Sequence, residues 1–205
     1  MASTVKRKRI TSSGSVREIE DAYFDDSIGS LNPASGLSCS VYRNGPLFVL
    51  TFTLTAVSIT VTDAAGSGSS GSLKLFDFAP GGVCPLACRQ DYTAFAEGSA
   101  LTTAVGDASF VMGLGSVAAN AGDAALTGTE VDFGAVTGVL TNSSGTTTGT
   151  KFSGAGLNTS AALDGTTTPV DLYLNWSGSA ATIDANSTIS VTGTITVIGL
   201  MMGDD

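Results

Sequence analysis

The sequence predicts an all-β fold, a two-sheet antiparallel sandwich preceded by an extended N-terminal arm. Three observations carry that expectation. Apolar residues alternate with polar ones over long stretches, above all near the C-terminus, and a period of two marks strands with one buried face. Only 13% of residues are charged, against roughly a quarter in an average soluble domain. Glycine, threonine and serine are abundant, with 26 glycines in 205 residues, which suits strands and turns and excludes a helical bundle or coiled coil.

The elements follow in chain order. Residues 1–46 read as the arm: polar, with DAYFDD and SLNPASG and no sustained period. Extended, it would reach about 150 Å. Leu47 to Thr62 is strand-forming. Phe48, Leu50, Phe52 and Leu54 share one parity, and Val57, Ile59 and Val61 take the other, so a bulge or a crossing between sheets is expected near Ala56. DAAGSGSSG (Asp63 to Gly71) is a connection. Ser72 to Phe78 is a strand covered on both faces at Leu75 and Phe76. Gly81 to Gly98 reads as irregular. A strand is expected around Phe110, Met112 and Leu114, another alternating run over Leu126 to Phe133, and a glycine- and threonine-rich turn region over Gly134 to Thr150. Two strands close the domain, which spans residues 47–205. Val170, Leu172, Leu174 and Trp176 define the buried face of one, and Ile189, Val191, Ile195 and Val197 that of the other. Seven or eight strands at turn-punctuated spacing make a sandwich.

Charge is segregated. The formal net is -9, with five of nine basic residues (Lys6, Arg7, Lys8, Arg9, Arg17) in the first seventeen positions. From Glu18 onward, four basic and eighteen acidic residues leave a net of -14. An acidic body repels nucleic acid, so no nucleic-acid partner is expected through it. The basic start suits DNA or an acidic protein surface, or is a disordered solubilising tail. No apolar run follows it, so no secretory signal is expected. Leu47 to Val61, the most apolar stretch, is interrupted by Thr51, Thr53, Thr55, Ser58 and Thr60, so no membrane span is expected.

Catalytic chemistry finds little footing. There is no histidine, which removes Ser-His-Asp triads, Cys-His dyads and imidazole metal sites. GSGSSGS precedes a strand and is no phosphate cradle. Cys39, Cys84 and Cys88 are odd in number and lack zinc-ligand spacing; they are expected as free thiols, with no cofactor and no metal. Glu130 and Asp132, two apart on an expected strand, are weighed as an acid–base or Ca²⁺ pair and read as a solvated strand face. Trp176 reads as core. Tyr92 and Phe95 are the aromatics expected in loops, where a sugar-binding module would place them.

Four segments carry a family resemblance through their order and spacing. They are ITVTDAAGSGSSGSLKLFDF (Ile59 to Phe78), AALTGTEVDF (Ala124 to Phe133), LDGTTTPVDLYLNWS (Leu163 to Ser177) and STISVTGTITVIGLMMGD (Ser187 to Asp204). With them the chain resembles small virion structural proteins of tailed bacteriophages, the capsid cement or decoration proteins. Residues 1–46 and GGVCPLACRQDYTAFAEG (Gly81 to Gly98) depart from that pattern. The resemblance implies a jelly roll and a non-enzymatic virion protein on the capsid surface, assembled in the host cytoplasm. It would bind the major capsid protein, form a homo-oligomer on the lattice and cement neighbouring subunits. The alternative is a tail or head-fibre module that recognises a host surface glycan. In the cement reading the arm is the strap, and its capsid-contact candidates are Lys6, Arg7, Lys8, Arg9, Arg17, Tyr23, Phe24, Ile28 and Leu31. Strands that begin only at Leu47 would fold without it.

Overall fold

The computed structural model describes residues 7–10, 16–19, 28–64, 68–97, 108–120, 125–140, 150–155, 162–179 and 186–202. Every strand pairing among them is antiparallel, and the one helical element is a single 3-10 turn. Strands β1 (Arg7–Ile10) and β2 (Val16–Ile19) form a hairpin of their own. All other strands belong to one eleven-stranded sheet. In chain order they are β3 (Gly29–Leu31), β4 (Leu37–Asn44), β5 (Leu47–Ala64), β6 (Gly68–Phe78), β7 (Gly81–Glu97), β8 (Ala108–Gly115), β9 (Gly134–Leu140), β10 (Thr150–Ala155), β11 (Leu163–Gly165), β12 (Asp171–Ser179) and β13 (Ser187–Met202).

The sheet is curled, not divided. Its path runs β10-β7-β13-β5-β6-β12-β8-β9, and its two ends, β9 and β10, approach each other. Strands β5 and β6 are hydrogen-bonded only over Val61–Ala64 and Gly68–Gly71. Beyond that they separate: β4 pairs with the first half of β5, and β3 with the end of β6. Two leaves result, one with β7, β13, β5 and β4, the other with β3, β6, β12, β8 and β9. The expectation of two separate sheets gives way to two leaves of a continuous sheet. The reason is strand length. Strand β5 has 18 residues, long enough to serve both leaves if it bends.

It bends where the apolar parity flips. Between Val191 and Gly193 the register with β13 shifts, so that Thr55 and Ala56 stand opposite Thr192 alone. Ala56 has φ 51, and its N–H donates to Thr192 Oγ1 at 3.0 Å. A bulge of this kind adds one residue and increases the local twist. Leu54 and Val57 thereby both stay buried. A second bulge on β6 skips Leu75 in the pairing with β12 and leaves both Leu75 and Phe76 buried.

The core lies between the leaves. Phe48, Leu50 and Phe52 of β5 meet Phe76 and Phe78 of β6, with Phe48 and Phe78 ring centroids 5.5 Å apart and Phe52 and Phe76 at 6.2 Å. Leu172, Leu174 and Trp176 on β12 and Ile195 and Val197 on β13 are fully buried, on the parity the sequence assigns them.

Several sequence expectations change, among them the turn region at Gly134, where Gly134–Leu140 is β9, and the connection at Asp63 to Gly71, whose ends pair as β5 and β6. The domain starts well before Leu47, because Ile28 is 2% exposed in the core and β3 and β4 lie in the sheet. Residues 32–36 cross from one leaf to the other. Asn32 N–H donates to Leu75 O at 3.0 Å and its Nδ2 to Lys74 O at 2.9 Å, while Gly36, at φ 79, accepts from Thr55 N–H at 2.8 Å. A Cβ on Gly36 would sit 2.0 Å from Thr55 O, so only glycine fits. Gly81 to Gly98 is not irregular: Gly81–Glu97 is β7, paired along β13. Leu126 to Phe133 is not a strand. It holds the 3-10 turn Gly128–Glu130 and a tight entry into β9.

Candidate interaction face and the buried carboxylate lock

The residues proposed as capsid contacts separate into three groups. Arg7, Lys8 and Arg9 lie on β1 and Arg17 on β2, with Arg9 opposite Arg17 and Lys8 opposite Glu18. Lys6, Tyr23 and Phe24 lie outside the described residues. Ile28 is corrected, because it is core, and an apolar residue already buried in its own fold has no surface left for a partner. Leu31, half-buried on β3, packs against that core and keeps part of its surface in solvent.

The feature that sequence reasoning missed is the outer face of the leaf built from β4, β5, β13 and β7. The register sets its rows. Ser38, Thr53, Thr194 and Asp91 form one; Ser40, Thr51, Thr196 and Arg89 the next; Tyr42, Val49, Ile198 and Ala87 the third; Asn44, Leu47, Leu200 and Cys84 the fourth. The first two rows are hydroxyl-rich. The third and fourth are largely apolar and solvent-facing. Tyr42 is 51% exposed, and the band continues into Leu86 at 48% and Met202 at 43%. Leu86 reaches the surface because it is the extra residue where β7 shifts register between Ile198 and Gly199 of β13. Of the four basic residues after Glu18, Arg43 lies on β4 and Arg89 on β7. Arg89 stands 3.9 Å from Asp91, both solvent-facing, a pair that contributes little in water. On the other leaf Lys74 is held between Asp77 and Asp171, and Tyr173 OH donates to Asp171 Oδ2 at 3.0 Å. The hydrogen bond to Asp77 leads the effects that raise the Lys74 pKa.

Glu130 and Asp132 are not a solvated face. Each is 5% exposed. Glu130 Oε2 accepts Thr127 N–H at 2.8 Å, and Oε1 accepts Asn120 N–H at 3.2 Å. Asp132 accepts Ser116 N–H at 2.8 Å and Ser116 Oγ–H at 2.6 Å. Burial pushes the Asp132 carboxyl up from 3.8, opposed by these hydrogen bonds. From β12, Asn175 clamps the same segment. Its Nδ2 donates to Val117 O at 2.9 Å and Glu130 O at 2.8 Å, and its Oδ1 accepts Ser72 Oγ–H at 2.6 Å and Ala119 N–H at 3.1 Å. Both carboxylates spend their lone pairs on backbone and hydroxyl donors of their own fold. They tie parts of this segment to one another, while Asn175 of β12 and Ser72 of β6 hold it against the sheet. The sequence held one signal of this turn: Thr127-x-x-Glu130 is a capping-box pattern.

The thiols are dispersed. Cys88 is buried, and burial pushes it up to about 12; burial likewise puts Cys39 at about 11, so neither is a ready nucleophile. All three cysteines are free. Tyr92 is corrected from an expected loop aromatic: it lies on β7, is buried, and donates its hydroxyl to Gln90 Oε1 at 2.9 Å. Among the described residues no group of three His, Cys, Asp or Glu side chains gathers to hold a metal, and no helix is long and apolar enough to cross a membrane. No family model, no curated protein and no solved structure matches the chain.

Proposed function

We propose that this chain is a non-enzymatic virion structural protein of a tailed bacteriophage. It sits on the outside of the capsid shell and cements neighbouring major capsid subunits. The observation that carries the reading is a solvent-facing apolar band across four strands of one leaf, with Tyr42, Ala87, Leu86 and Met202 exposed and Val49 and Ile198 half-buried between them. A contiguous apolar patch on an otherwise acidic molecule marks a protein-binding face. The segment order and spacing shared with phage cement proteins supply the partner class. On this reading the two leaves correspond to the halves of a jelly-roll sandwich, and the protein is a homo-oligomer in the virion after assembly in the host cytoplasm.

The mechanism is multivalent bridging. Internal pressure pulls capsid subunits apart, and a clamp that contacts two of them across a seam resists that separation. Each contact can be modest, because many linked contacts raise the effective affinity. The basic start, with Lys6, Arg7, Lys8, Arg9 and Arg17, steers approach to an acidic surface, and raised salt screens that contribution. The apolar band, buried once the protein is bound, sets dissociation.

Two measurements test this. Mass spectrometry of purified virions should find the chain at a copy number commensurate with the major capsid protein; absence from virions overturns the virion reading. Added to capsids that lack it, wild-type protein should saturate discrete sites, and Leu86→Asp should bind at least tenfold more weakly with unchanged folding. Equal binding by both removes the band from the interface.

A further inference from the structure

We infer that β4 is a dimerisation edge, pairing antiparallel with β4 of a second copy about a two-fold axis through Ser40. The inference stands apart from the virion reading and holds for the protein in solution.

Strand β4 covers eight residues, LSCSVYRN, and pairs with β5 on one side along its whole length. Among the described residues no strand pairs with its other side. Edges of this length are usually blunted by proline, a bulge or inward charge. Leu37–Asn44 has no proline, its register with β5 shows no shift, and Arg43 is its single charge. Such an edge is a directional row of backbone donors and acceptors, and another extended strand satisfies it completely.

Charge selects the second copy. The body from Glu18 onward has a net of -14, so two copies repel over most approaches. Strand β4 carries no acid, and the neighbouring rows Ser38–Thr53 and Ser40–Thr51 are neutral. This is the edge on which an acidic protein can meet itself.

The hydrogen-bond phase then fixes the register. Thr55 N–H donates to Gly36 O. By the alternation of an antiparallel ladder, Ser38, Ser40 and Tyr42 exchange bonds with β5, while Cys39 and Val41 turn their backbone groups outward. Centring the axis on Ser40 sets Cys39 opposite Val41 of the second copy, and Val41 opposite its Cys39, as the bonded pairs. Ser40 faces itself as a non-bonded pair, at a Cα separation of about 4.5 Å. Seven residues, Leu37 to Arg43, pair in this register. The two Arg43 side chains fall at opposite ends, about 20 Å apart along the strand, beyond the Debye length of about 8 Å at physiological salt. The apolar rows that begin at Tyr42 are then carried across both copies, and the contact is isologous, so it closes at two.

Sedimentation equilibrium and site-specific cross-linking test the pairing on the full chain. Wild-type protein at tens of micromolar should have twice the monomer mass. In a Cys39→Ala background, Ser40→Cys should form an intermolecular disulfide under mild oxidation, since about 4.5 Å lies within the Cα range a disulfide needs. Ser38→Cys should not, because its two copies stand about 14 Å apart; Cys39→Ala alone gives the background from Cys84 and Cys88. Ser40→Lys, an exposed change that sets two cations directly opposite, should weaken dimerisation at least tenfold with an unchanged denaturation midpoint. A monomer at these concentrations overturns the inference. So does a dimer that survives Ser40→Lys, or cross-linking at position 38 equal to that at position 40, each of which assigns the contact to another surface.

Discussion

The β5–β13 ladder and the segment from Ser116 to Phe133 are held by opposite means. The ladder runs through thirteen aligned pairs, and its inward side chains (Leu50, Phe52, Ile195, Val197) are apolar and similar in kind. Any one of them shares its role with its neighbours. Among the described residues of the 116–133 segment, the buried apolar side chains are Leu126, Val131 and Phe133, with Met112 and Leu114 of β8 just before it. It is held by individual hydrogen bonds to Asn175, Asp132 and Glu130, and apart from Ala119 N–H, which reaches both Ser72 Oγ and Asn175 Oδ1, they are not shared with neighbours. The ladder averages over many weak equivalent contacts. The segment depends on a few that are not interchangeable.

That contrast fails most visibly, if it fails, at Asn175. Asn175→Ala leaves Val117 O and Glu130 O without their donor and Ala119 N–H without one acceptor. A buried polar group left unmade costs about 1–3 kcal/mol, so a loss of about 3 kcal/mol is expected in urea denaturation. A loss below about 1 kcal/mol would mean that water replaces the clamp and the segment is not locked.

Ile28→Ala is next, at about 2–4 kcal/mol from lost burial and the cavity it leaves. This change tests whether the crossing at residues 28–36 belongs to the core. A neutral result would restore an arm that ends at Pro46. Removal of residues 1–36 takes Ile28 and β3 with it, and should lower the denaturation midpoint for the same reason.

Asp132 sharpens the comparison through pH. Its folded pKa is raised from 3.8 by burial, so the folded state binds the proton more tightly than the unfolded chain. Stability from this group is therefore greatest at low pH and declines as pH rises from about 3.8 through the folded value. Asp132→Asn should remove that slope, read as the difference between wild-type and variant denaturation midpoints from pH 3 to 7. At neutral pH the variant should change stability by under about 1 kcal/mol, because the amide oxygen takes the Ser116 N–H and the amide nitrogen donates to Ser116 Oγ. Asp171 acts in the opposite sense. Burial raises it, but Lys74, Asp77 and Tyr173 together hold it below 3.8, so its contribution is lost as pH falls. A common downward drift in acid belongs to Asp171 and cancels in the comparison.

The smallest effects belong to the ladder. Ile195→Val should cost about 1 kcal/mol. Ala56→Gly should change stability by under about 1 kcal/mol and in the stabilising direction, since an L-residue at φ 51 is strained and glycine is not. Larger losses at either site would show that the ladder too is built from contacts that cannot be exchanged.

The sequence by itself determined the all-β class, the buried faces of β5, β12 and β13, the strand around Met112, the burial of Trp176 and the break of parity near Ala56, which the structure resolves as a bulge. Each follows from a local period of two, which the chain displays without reference to any distant residue. Strand β7 escaped that reading for a physical reason. Its buried residues change parity at the Leu86 bulge, from Val83 and Pro85 to Cys88, Gln90 and Tyr92, and a buried glutamine and a proline both imitate a loop. Strand β4 escaped because one of its faces is covered only in part, which leaves its alternation of Leu37, Cys39 and Val41 with serines faint. The lock at residues 116–133 left only one local trace, the Thr127-x-x-Glu130 capping-box pattern. Glu130 and Asp132 take their donors from Thr127, Asn120 and Ser116, but the segment closes over them only when Asn175 is brought to it from 58 residues away, as in the Asn175–Val117 bond. Whether a carboxylate faces water or a donor is set by its surroundings, and those exist only once the leaves have closed.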